Sequence, residues 1–272
     1  MPFIQSNNLN IYYEQNGSGE PCLILNGTGG DLRRKPGVME SPISKHFHVT
    51  SFDQRGLGQT QKPNIPYSVR DYADDAAQLI AQLELGPCRV LGISFGGMVA
   101  QELAIRHRAS VTQLALYCTS SGGGGGSSFP FSDLDDLPES ERAQKFIQLN
   151  DTRITQSWID SNPETFQILL DNYAQRYEYA NEPNYMEGIA LQLSARAEHD
   201  VWDRLDQITC PVFLAGGQYD GIATTQNMEN LHSRIVNSTL KLYDGGHLFM
   251  TQDRAAFKDT IDFFKNGIVV NT

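Results

Sequence analysis

Cysteine is scarce in this sequence, and its four cysteines are spread widely over 272 residues. They form neither a Cys-x-x-Cys pair nor a cluster with histidine at zinc-binding spacing, which disfavours a disulfide framework and a structural metal site. Three of them, Cys22, Cys88 and Cys118, lie in or beside short apolar runs. We therefore expect buried, reduced thiols and no bound metal.

Positive charge and long apolar runs are lacking as well. Lys plus Arg number 21 against 32 Asp plus Glu, which gives a formal net charge of -11. A field of this sign repels nucleic-acid phosphates and anionic membranes, so we expect neither as a partner. No apolar stretch is long enough to span a bilayer, and the first residues lack a basic segment followed by an apolar one. These features predict a cytoplasmic protein.

Hydrophobic residues make up 40% of the chain, which is enough to form a large core. Short continuous apolar runs typical of buried parallel strands recur from residues 22–25 to residues 212–215. Patterns of amphipathic helices separate them, and one helix is predicted to begin at Ser68, with Asp71 at the capping-box distance. Such alternation predicts a parallel sheet covered by helices on both faces.

The composition changes after residue 120. Residues 121–128 consist of serine and glycine, which is typical of a flexible linker, and buried-strand patterns resume only at Pro211. Polar helical patterns lie between these points, at about residues 138–150, 163–178 and 184–198. We predict a core formed by residues 1–120 and 209–272, with a linker and a helical cap inserted over residues 121–208.

The most informative stretch is Gly92-Ile93-Ser94-Phe95-Gly96, which connects a strand pattern directly to a helix pattern. A strand that turns into a helix within two residues needs strained backbone angles and close backbone approach, both of which glycine permits. Such a turn exposes the Ser94 hydroxyl near the amides of a helix N-terminus, which favour negative charge. Alternatively, the glycines are ordinary turn residues and Ser94 only caps the helix. The strand and helix on either side favour a nucleophile.

A serine hydroxyl needs a base to act as a nucleophile near neutral pH, and the sequence offers six histidines. His247 follows a strand pattern through the short turn Asp244-Gly245-Gly246, where a parallel sheet gathers its functional side chains. The other five fit ordinary surface or core positions: His46, His48, His107, His199 and His232. We predict His247 as the base.

The acid that orients this histidine should also follow a strand. Asp220 does so, after the apolar run of residues 212–215, although an aspartate there could simply form a turn. Asp53 also follows a strand pattern, but Arg55 and the neighbouring glycines indicate a turn held by its own charges. We therefore predict Asp220, which gives the chain order Ser, Asp, His that is associated with this kind of serine turn.

Taken with these residues, the sequence resembles the α/β-hydrolase fold in its esterase and enol-lactonase branch, over nearly the whole chain. Around Ser94 it is most similar to 3-oxoadipate enol-lactonases. Besides the Ser94 stretch, the motifs that carry the resemblance lie at residues 26–30, 52–58, 217–220 and 245–247. The resemblance implies a mostly parallel eight-stranded sheet flanked by helices, whose second strand is antiparallel, with the helical cap inserted after the sixth strand.

By the same resemblance, the backbone N–H groups of Thr28 and Phe95 would form an oxyanion hole. The first glycine loop departs from the family pattern, because Asn26 precedes Gly27 where the family usually has His-Gly. Residues 26–30 also lack the spacing and the Lys-Ser/Thr of a phosphate-binding loop, so we expect no nucleotide and no other cofactor.

The resemblance and the predicted triad together indicate a serine hydrolase that cleaves a small carboxylic ester or lactone through an acyl-enzyme. The fold does not choose among related reactions, so hydrolysis of a C–C bond and perhydrolase activity remain alternatives. A receptor that binds a small ligand with slow turnover, or none, is an alternative of another class. A homo-oligomer is possible in each case.

Overall fold

The computed structural model describes residues 2–6 and 8–267, whose strands form one sheet of eight. Its spatial order is β1-β2-β4-β3-β5-β6-β7-β8. Strand β2 pairs antiparallel with both β1 and β4, and all other neighbours run parallel. The strands are β1 Phe3–Ser6, β2 Leu9–Asn16, β3 Pro21–Leu25, β4 His48–Phe52, β5 Cys88–Ile93, β6 Val111–Tyr117, β7 Val212–Gly217 and β8 Ser238–Tyr243. The predicted mostly parallel sheet with an antiparallel second strand is confirmed.

The first two strands form a hairpin at one edge of this sheet. Phe3 pairs with Tyr12 across it, and Ser6 pairs with Leu9 at its end. Asn8 has φ 62, in the left-handed region that asparagine enters more readily than most residues. The sequence pattern Asn7-Asn8 between two alternating apolar stretches predicts such a hairpin, and Asn7 lies outside the described residues.

Helices cover both faces of the sheet, because alternate residues of the buried strands point to opposite sides. The α-helices of the described chain are α1 Val69–Gln82, α2 Phe95–Arg106, α3 Glu139–Asn150, α4 Gln156–Ser161, α5 Pro163–Ala174, α6 Tyr185–Ala197, α7 Thr225–Arg234, α8 Phe249–Gln252 and α9 Ala255–Asn266. In β3, Leu23 packs into a core with α1, α2 and α7, whereas its neighbour Ile24 packs into a second core with α8 and α9.

Helix α1 begins with the predicted capping box. The Asp71 amide donates to Ser68 Oγ at 3.3 Å, and the Ser68 amide donates to Asp71 Oδ2 at 2.8 Å. Two backbone donors without intrahelical partners are therefore satisfied at the first turn. The buried face of the helix includes Tyr72, Ala76 and Leu79, in agreement with the apolar pattern of the sequence.

The segment between β6 and β7 contains α3, α4, α5 and α6. Helix α4 was not predicted, and the helix predicted over residues 163–178 ends as an α-helix at Ala174 before a short 3-10 turn. The expected flexible linker is also different. Gly123–Gly125 is a 3-10 turn packed against Trp202, where a Cβ on Gly125 would lie 2.5 Å from the indole ring. The glycines there allow close packing rather than flexibility.

The cysteines and the character of the helices relate to two expectations drawn from the composition. All four cysteines are free, with Cys22, Cys88 and Cys118 buried and Cys210 partly buried. None of the helices within residues 2–6 and 8–267 combines the length and the apolar character that crossing a membrane requires.

Candidate active site

Ser94 lies at the turn between β5 and α2, with φ 54 and ψ -115. A positive φ is strained for any residue with a side chain, so the surrounding structure must enforce it. The glycines on either side make the turn possible. A Cβ on Gly96 would lie 2.1 Å from Leu25 O, and one on Gly92 would lie 2.5 Å from Gly96 O.

Hydrogen bonds from the end of β6 hold the strained serine in place. The Ser94 amide donates to Tyr117 O at 2.8 Å, and Thr119 Oγ1 donates to Ser94 O at 2.8 Å. The Gly97 amide donates to the same carbonyl at 2.8 Å. Both backbone polar groups of Ser94 are thus fixed, so the side chain is presented in one direction.

The structure brings Ser94, His247 and Asp220 together, although 153 residues separate the serine from the histidine. His247 Nε2 lies 3.0 Å from Ser94 Oγ, and His247 Nδ1 lies 2.7 Å from Asp220 Oδ2. A carboxylate only accepts hydrogen bonds, so Nδ1–H donates to Asp220 and Nε2 accepts from the serine hydroxyl. In general, this arrangement lets an imidazole remove the proton of a serine that attacks a carbonyl group.

Asp220 is fixed by its other carboxylate oxygen. Oδ1 accepts hydrogen bonds from the Ile222 amide at 2.7 Å and the Ala223 amide at 2.9 Å. Asp220 is 5% exposed as a whole residue, and His247 is similarly buried. A buried carboxylate held on both oxygens has little freedom to turn away from the imidazole.

Asp53, the other aspartate considered for this role, binds backbone amides instead of a histidine. It accepts from Leu32 N at 2.7 Å and from Gln59 N at 2.8 Å, and burial raises its pKa to about 7. The expectation that Arg55 holds this turn is wrong, because Arg55 Nε donates to Asp75 Oδ2 at 2.6 Å. Asp53 therefore holds two loops together.

The remaining histidines have other surroundings. His107 Nε2 lies 2.6 Å from Asp74 Oδ1, and His232 Nδ1 lies 2.8 Å from Ser238 Oγ. Burial lowers the pKa of His199 to about 4. No hydrogen bond within the described residues joins any histidine other than His247 to Ser94.

The two amides expected to form an oxyanion hole border the serine. Phe95 is the first residue of α2, so its N–H has no acceptor inside the helix. Gly27 lies against the turn, since a Cβ placed on it would be 3.4 Å from Ser94 Cβ. Gly27 O accepts from the Gly30 amide at 3.1 Å, and the trans peptide directs the Thr28 N–H the opposite way. Their use as an oxyanion hole remains a prediction.

The asparagine that replaces the usual histidine of this loop is bound to the sheet. Asn26 Nδ2 donates to Ser51 Oγ at 3.4 Å, and Asn26 O accepts from Gln54 Nε2 at 2.8 Å. Both contacts lie at the carboxyl ends of β3 and β4. The side chain and the carbonyl of residue 26 therefore each connect the start of this loop to the neighbouring strand or the loop after it.

The contact between the end of α3 and the loops that carry Asp220 and His247 was not predicted from the sequence. The His247 amide donates to Asn150 O at 2.6 Å, and the Gly221 amide donates to Leu149 O at 2.9 Å. The approach is so close that a Cβ on Gly246 would lie 2.0 Å from Asn150 O. Gly221 and Gly246 were the only signal, and a glycine alone does not name its neighbour.

One group of potential metal ligands within the described residues overlaps this site. Cys118 Sγ and ligand atoms of Asp220 and His247 lie within 4.8 Å of one another. Burial raises the pKa of the Cys118 thiol well above its ordinary value, and the thiolate is the form that binds metals. The aspartate and the histidine are already joined by a 2.7 Å hydrogen bond. These donors fit a hydrogen-bonded pair beside a neutral thiol better than a metal centre.

This chain is similar to known proteins of comparable length. The chain is 27% identical over 244 residues to 3-oxoadipate enol-lactonase 2 of Acinetobacter baylyi, covering 89% of this chain and 87% of the relative. A crystal structure of the enol-lactonase from Burkholderia xenovorans LB400 has a TM-score of 0.77 at 21% identity, covering 97% and 99% of the two chains. A meta-cleavage product hydrolase from Pseudomonas fluorescens IP01 has a TM-score of 0.76 at 18% identity, covering 98% of each chain.

The match to a protein family spans most of the chain. Residues 20–253 fit the family described as alpha/beta hydrolase fold. This range includes the turn at Ser94 and the loops of Asp220 and His247. With its eight-stranded, mostly parallel sheet, the chain belongs to the alpha/beta hydrolase fold family.

Proposed function

We propose that this protein is a serine hydrolase that cleaves a carboxylic ester or lactone of a small substrate through an acyl-enzyme. The observation that supports it most is the continuous chain of hydrogen bonds from Ser94 through His247 to Asp220. The similarity to an enol-lactonase over 89% of the chain favours a lactone or ester among the substrates of this family. No cofactor is needed for this chemistry.

In the first half of the reaction, Ser94 Oγ attacks the substrate carbonyl carbon while His247 Nε2 takes its proton. Asp220 holds the imidazole in the required tautomer and stabilises the imidazolium that forms. The negative charge develops on the carbonyl oxygen, which the amides of Thr28 and Phe95 bind. His247 then returns the proton to the leaving oxygen, which departs as an alcohol and leaves the acyl group on Ser94.

In the second half, water takes the place of the alcohol. His247 removes a proton from the water, and the resulting hydroxide attacks the acyl carbon. The tetrahedral intermediate collapses with return of the proton to Ser94 Oγ, which releases the carboxylic acid. In a lactone the leaving oxygen stays attached to the acyl chain, so a single hydroxy acid is released; an enol lactone releases an enol acid, which tautomerises to the keto acid.

Residues 121–208 form the cap in this proposal, and residues 1–120 and 209–272 form the catalytic core. Contacts from the end of α3 to the loops of Asp220 and His247 support a cap that bounds the substrate site. Side chains of the cap would then select the acyl and leaving groups. The loops at the carboxyl ends of the strands would supply the remaining walls of the substrate site.

Substitution of Ser94 tests the proposal directly. Against a panel of 4-nitrophenyl esters and lactones of graded chain length, Ser94→Ala should lower kcat by about 10⁶, because the nucleophile is lost. Ser161→Ala is a matched control, since Ser161 is exposed and its hydroxyl donates only to Ser157 O within α4. A fluorophosphonate probe should label the wild type and the control variant but not Ser94→Ala. Near-native turnover by Ser94→Ala would refute the assignment.

The same panel separates this reaction from its alternatives. Hydrolysis of a C–C bond in a diketone is an alternative reaction on this fold, so a diketone is added to the panel. Cleavage of the diketone with no turnover of esters or lactones would replace the proposal with C–C bond hydrolysis. A single acylation of Ser94 without further turnover, together with a large rise in Tm on ligand binding, would indicate a receptor.

A further inference from the structure

The backbone from Gly27 to Gly30 makes a tight turn beside Ser94. The Gly30 amide donates to Gly27 O at 3.1 Å, and Gly29 has φ +68, in the left-handed region that glycine tolerates. Thr28 occupies the second position of this turn. The direction of its N–H therefore depends on the geometry of the whole turn.

Two side chains hold the polar groups of Gly29. Gln192 Oε1 accepts a hydrogen bond from the Gly29 amide at 2.8 Å, and Arg34 Nη1 donates to Gly29 O at 3.0 Å. Because each peptide unit is planar, the first contact fixes the unit between Thr28 and Gly29, and the second fixes the next unit. The turn cannot rotate without breaking one of these contacts.

Gln192 reaches this turn from the inserted segment. It lies on α6, 163 residues away along the chain, and its side chain is 0% exposed. Its Nε2 has no hydrogen-bond partner among the described residues, and neither has Thr28 Oγ1. A buried amide with half of its bonding capacity unused costs stability, which is expected where a side chain serves a site rather than the fold.

Other contacts join the residues that follow the turn to the inserted segment. Arg33 Nη1 pairs with Glu182 Oε1 at 2.5 Å, and Arg34 Nη2 donates to Arg176 O at 2.7 Å. Arg34 also bonds to the hydroxyl of Tyr185, the first residue of α6. The segment that follows the turn is thus bound to the inserted helices at several points, while Gln192 alone among these side chains binds the Gly29 amide.

We propose that Gln192 is a positioning residue that sets the Thr28 amide for the oxyanion, so that α6 contributes to turnover without touching the reacting atoms. This inference rests on the proposed function. A hydrogen bond to a developing oxyanion is directional, so a small displacement of the amide weakens acylation and deacylation. Binding of the uncharged substrate depends on this amide far less. The effect therefore falls on kcat and leaves KM nearly unchanged.

Two substitutions of Gln192 test this role. Gln192→Met keeps the shape and removes the acceptor, whereas Gln192→Asn keeps the amide but is too short to reach Gly29. In both, kcat for 4-nitrophenyl butyrate should fall about tenfold, less than the roughly 10²–10³-fold cost of losing an oxyanion donor. KM should stay within about twofold of the wild-type value. The affinity for a boronic acid, which forms a tetrahedral adduct with Ser94, should fall in parallel with kcat.

A control on the same helix separates positioning from general stability. Leu191 is partly buried against the core, so Leu191→Ala should lower Tm and leave kcat unchanged. If Gln192→Met fails to fold, Gln192→Asn carries the same comparison. An unchanged kcat in a folded Gln192 variant overturns the inference, as does a raised KM at constant kcat. Wild-type protein without Ser94-dependent turnover overturns the proposed function and this inference together, whereas failure of the inference alone leaves that turnover intact.

Discussion

Hydrogen-bond partners decide which of two similar aspartates can orient His247. Asp53 and Asp220 both follow strands of the parallel sheet and both are buried. The carboxylate of Asp53 is occupied by two backbone amides, whereas Asp220 uses one oxygen for backbone amides and keeps the other for His247 Nδ1. Sequence position placed both residues at the same sheet edge, but only the loop geometry determines which one faces the imidazole.

Asp220→Asn should therefore lower kcat by about 10⁴ while the protein stays folded. An amide at this position can present its NH₂ group to Nδ1, which favours the tautomer that cannot accept the serine proton. The measurement is kcat for an ester substrate, with circular dichroism to verify folding. Asp244→Asn is the matched control, because Asp244 is exposed in the same loop as His247 and forms an ion pair with Arg153 at the surface.

Equal kcat values for the Asp220→Asn and wild-type proteins would show that another group orients His247. Loss of kcat in the Asp244→Asn control would indicate that the loop itself, rather than the carboxylate, is sensitive to substitution.

At the scale of helices and loops, the sequence predicted where helices lie along the chain better than it predicted what they pack against. The capping box at Ser68 and Asp71 was readable, because both of its hydrogen bonds are local. The helical pattern at residues 163–178 correctly predicted α5, whose apolar residues include Phe166 and Tyr173, yet no residue of this helix is buried. Whether an apolar stripe meets a core depends on what lies opposite, and periodicity does not contain that information.

The capping box gives a prediction about α1. Ser68→Ala removes the side-chain acceptor for the Asp71 amide, so the free energy of unfolding should fall by about 1 kcal/mol. Urea denaturation measures the change. Ser18→Ala, in an exposed turn, should change it by less than about 0.5 kcal/mol. Equal effects of the two substitutions would mean that the box does not stabilise the helix.

The close contact between α3 and the His247 loop gives a second prediction at this scale. In Gly246→Ala the added Cβ would meet Asn150 O, a backbone atom that cannot move alone. We expect about 1–3 kcal/mol of destabilisation and at least a tenfold lower kcat, because the displaced loop carries His247.

Gly216→Ala is the comparison for this substitution. Its added Cβ would meet Met228 Cγ at 2.9 Å, a side-chain atom that can shift more readily than a backbone carbonyl, and Gly216 lies in β7 rather than in the His247 loop, so kcat should be retained. Retained kcat in Gly246→Ala would show that the α3 contact does not determine the position of the histidine.

At the scale of the whole molecule, the segment inserted between β6 and β7 contacts the candidate active site from two sides. The end of α3 contacts the loops of Asp220 and His247, and α6 contacts the turn of Thr28. The sequence predicted that the carboxyl ends of the strands meet, because that follows from a parallel sheet. It did not predict these contacts, since they join residues more than 70 positions apart through backbone carbonyls and one glutamine.

His199 links this segment to the pH dependence of global stability. Burial lowers its pKa from 6.5 to about 4, and Glu102, Arg204 and Asp200 are the charged groups around it. Between these pH values the unfolded chain binds a proton that the folded chain does not. Stability from this residue is therefore complete above about pH 6.5 and is lost as the pH falls toward about 4, by about 3 kcal/mol in total.

His199→Gln should remove this part of the acid sensitivity. The variant is expected to be less stable than the wild type near neutral pH, with a difference in the free energy of unfolding that shrinks as the pH falls, because only the wild type loses the His199 contribution. Urea denaturation of both proteins at several values from about pH 7 to about pH 4.5 measures the difference. Ser233→Ala, at an exposed site whose hydroxyl does not titrate in this range, should keep a constant offset from the wild type. Parallel curves for His199→Gln and the wild type would refute the assignment of this acid sensitivity to His199.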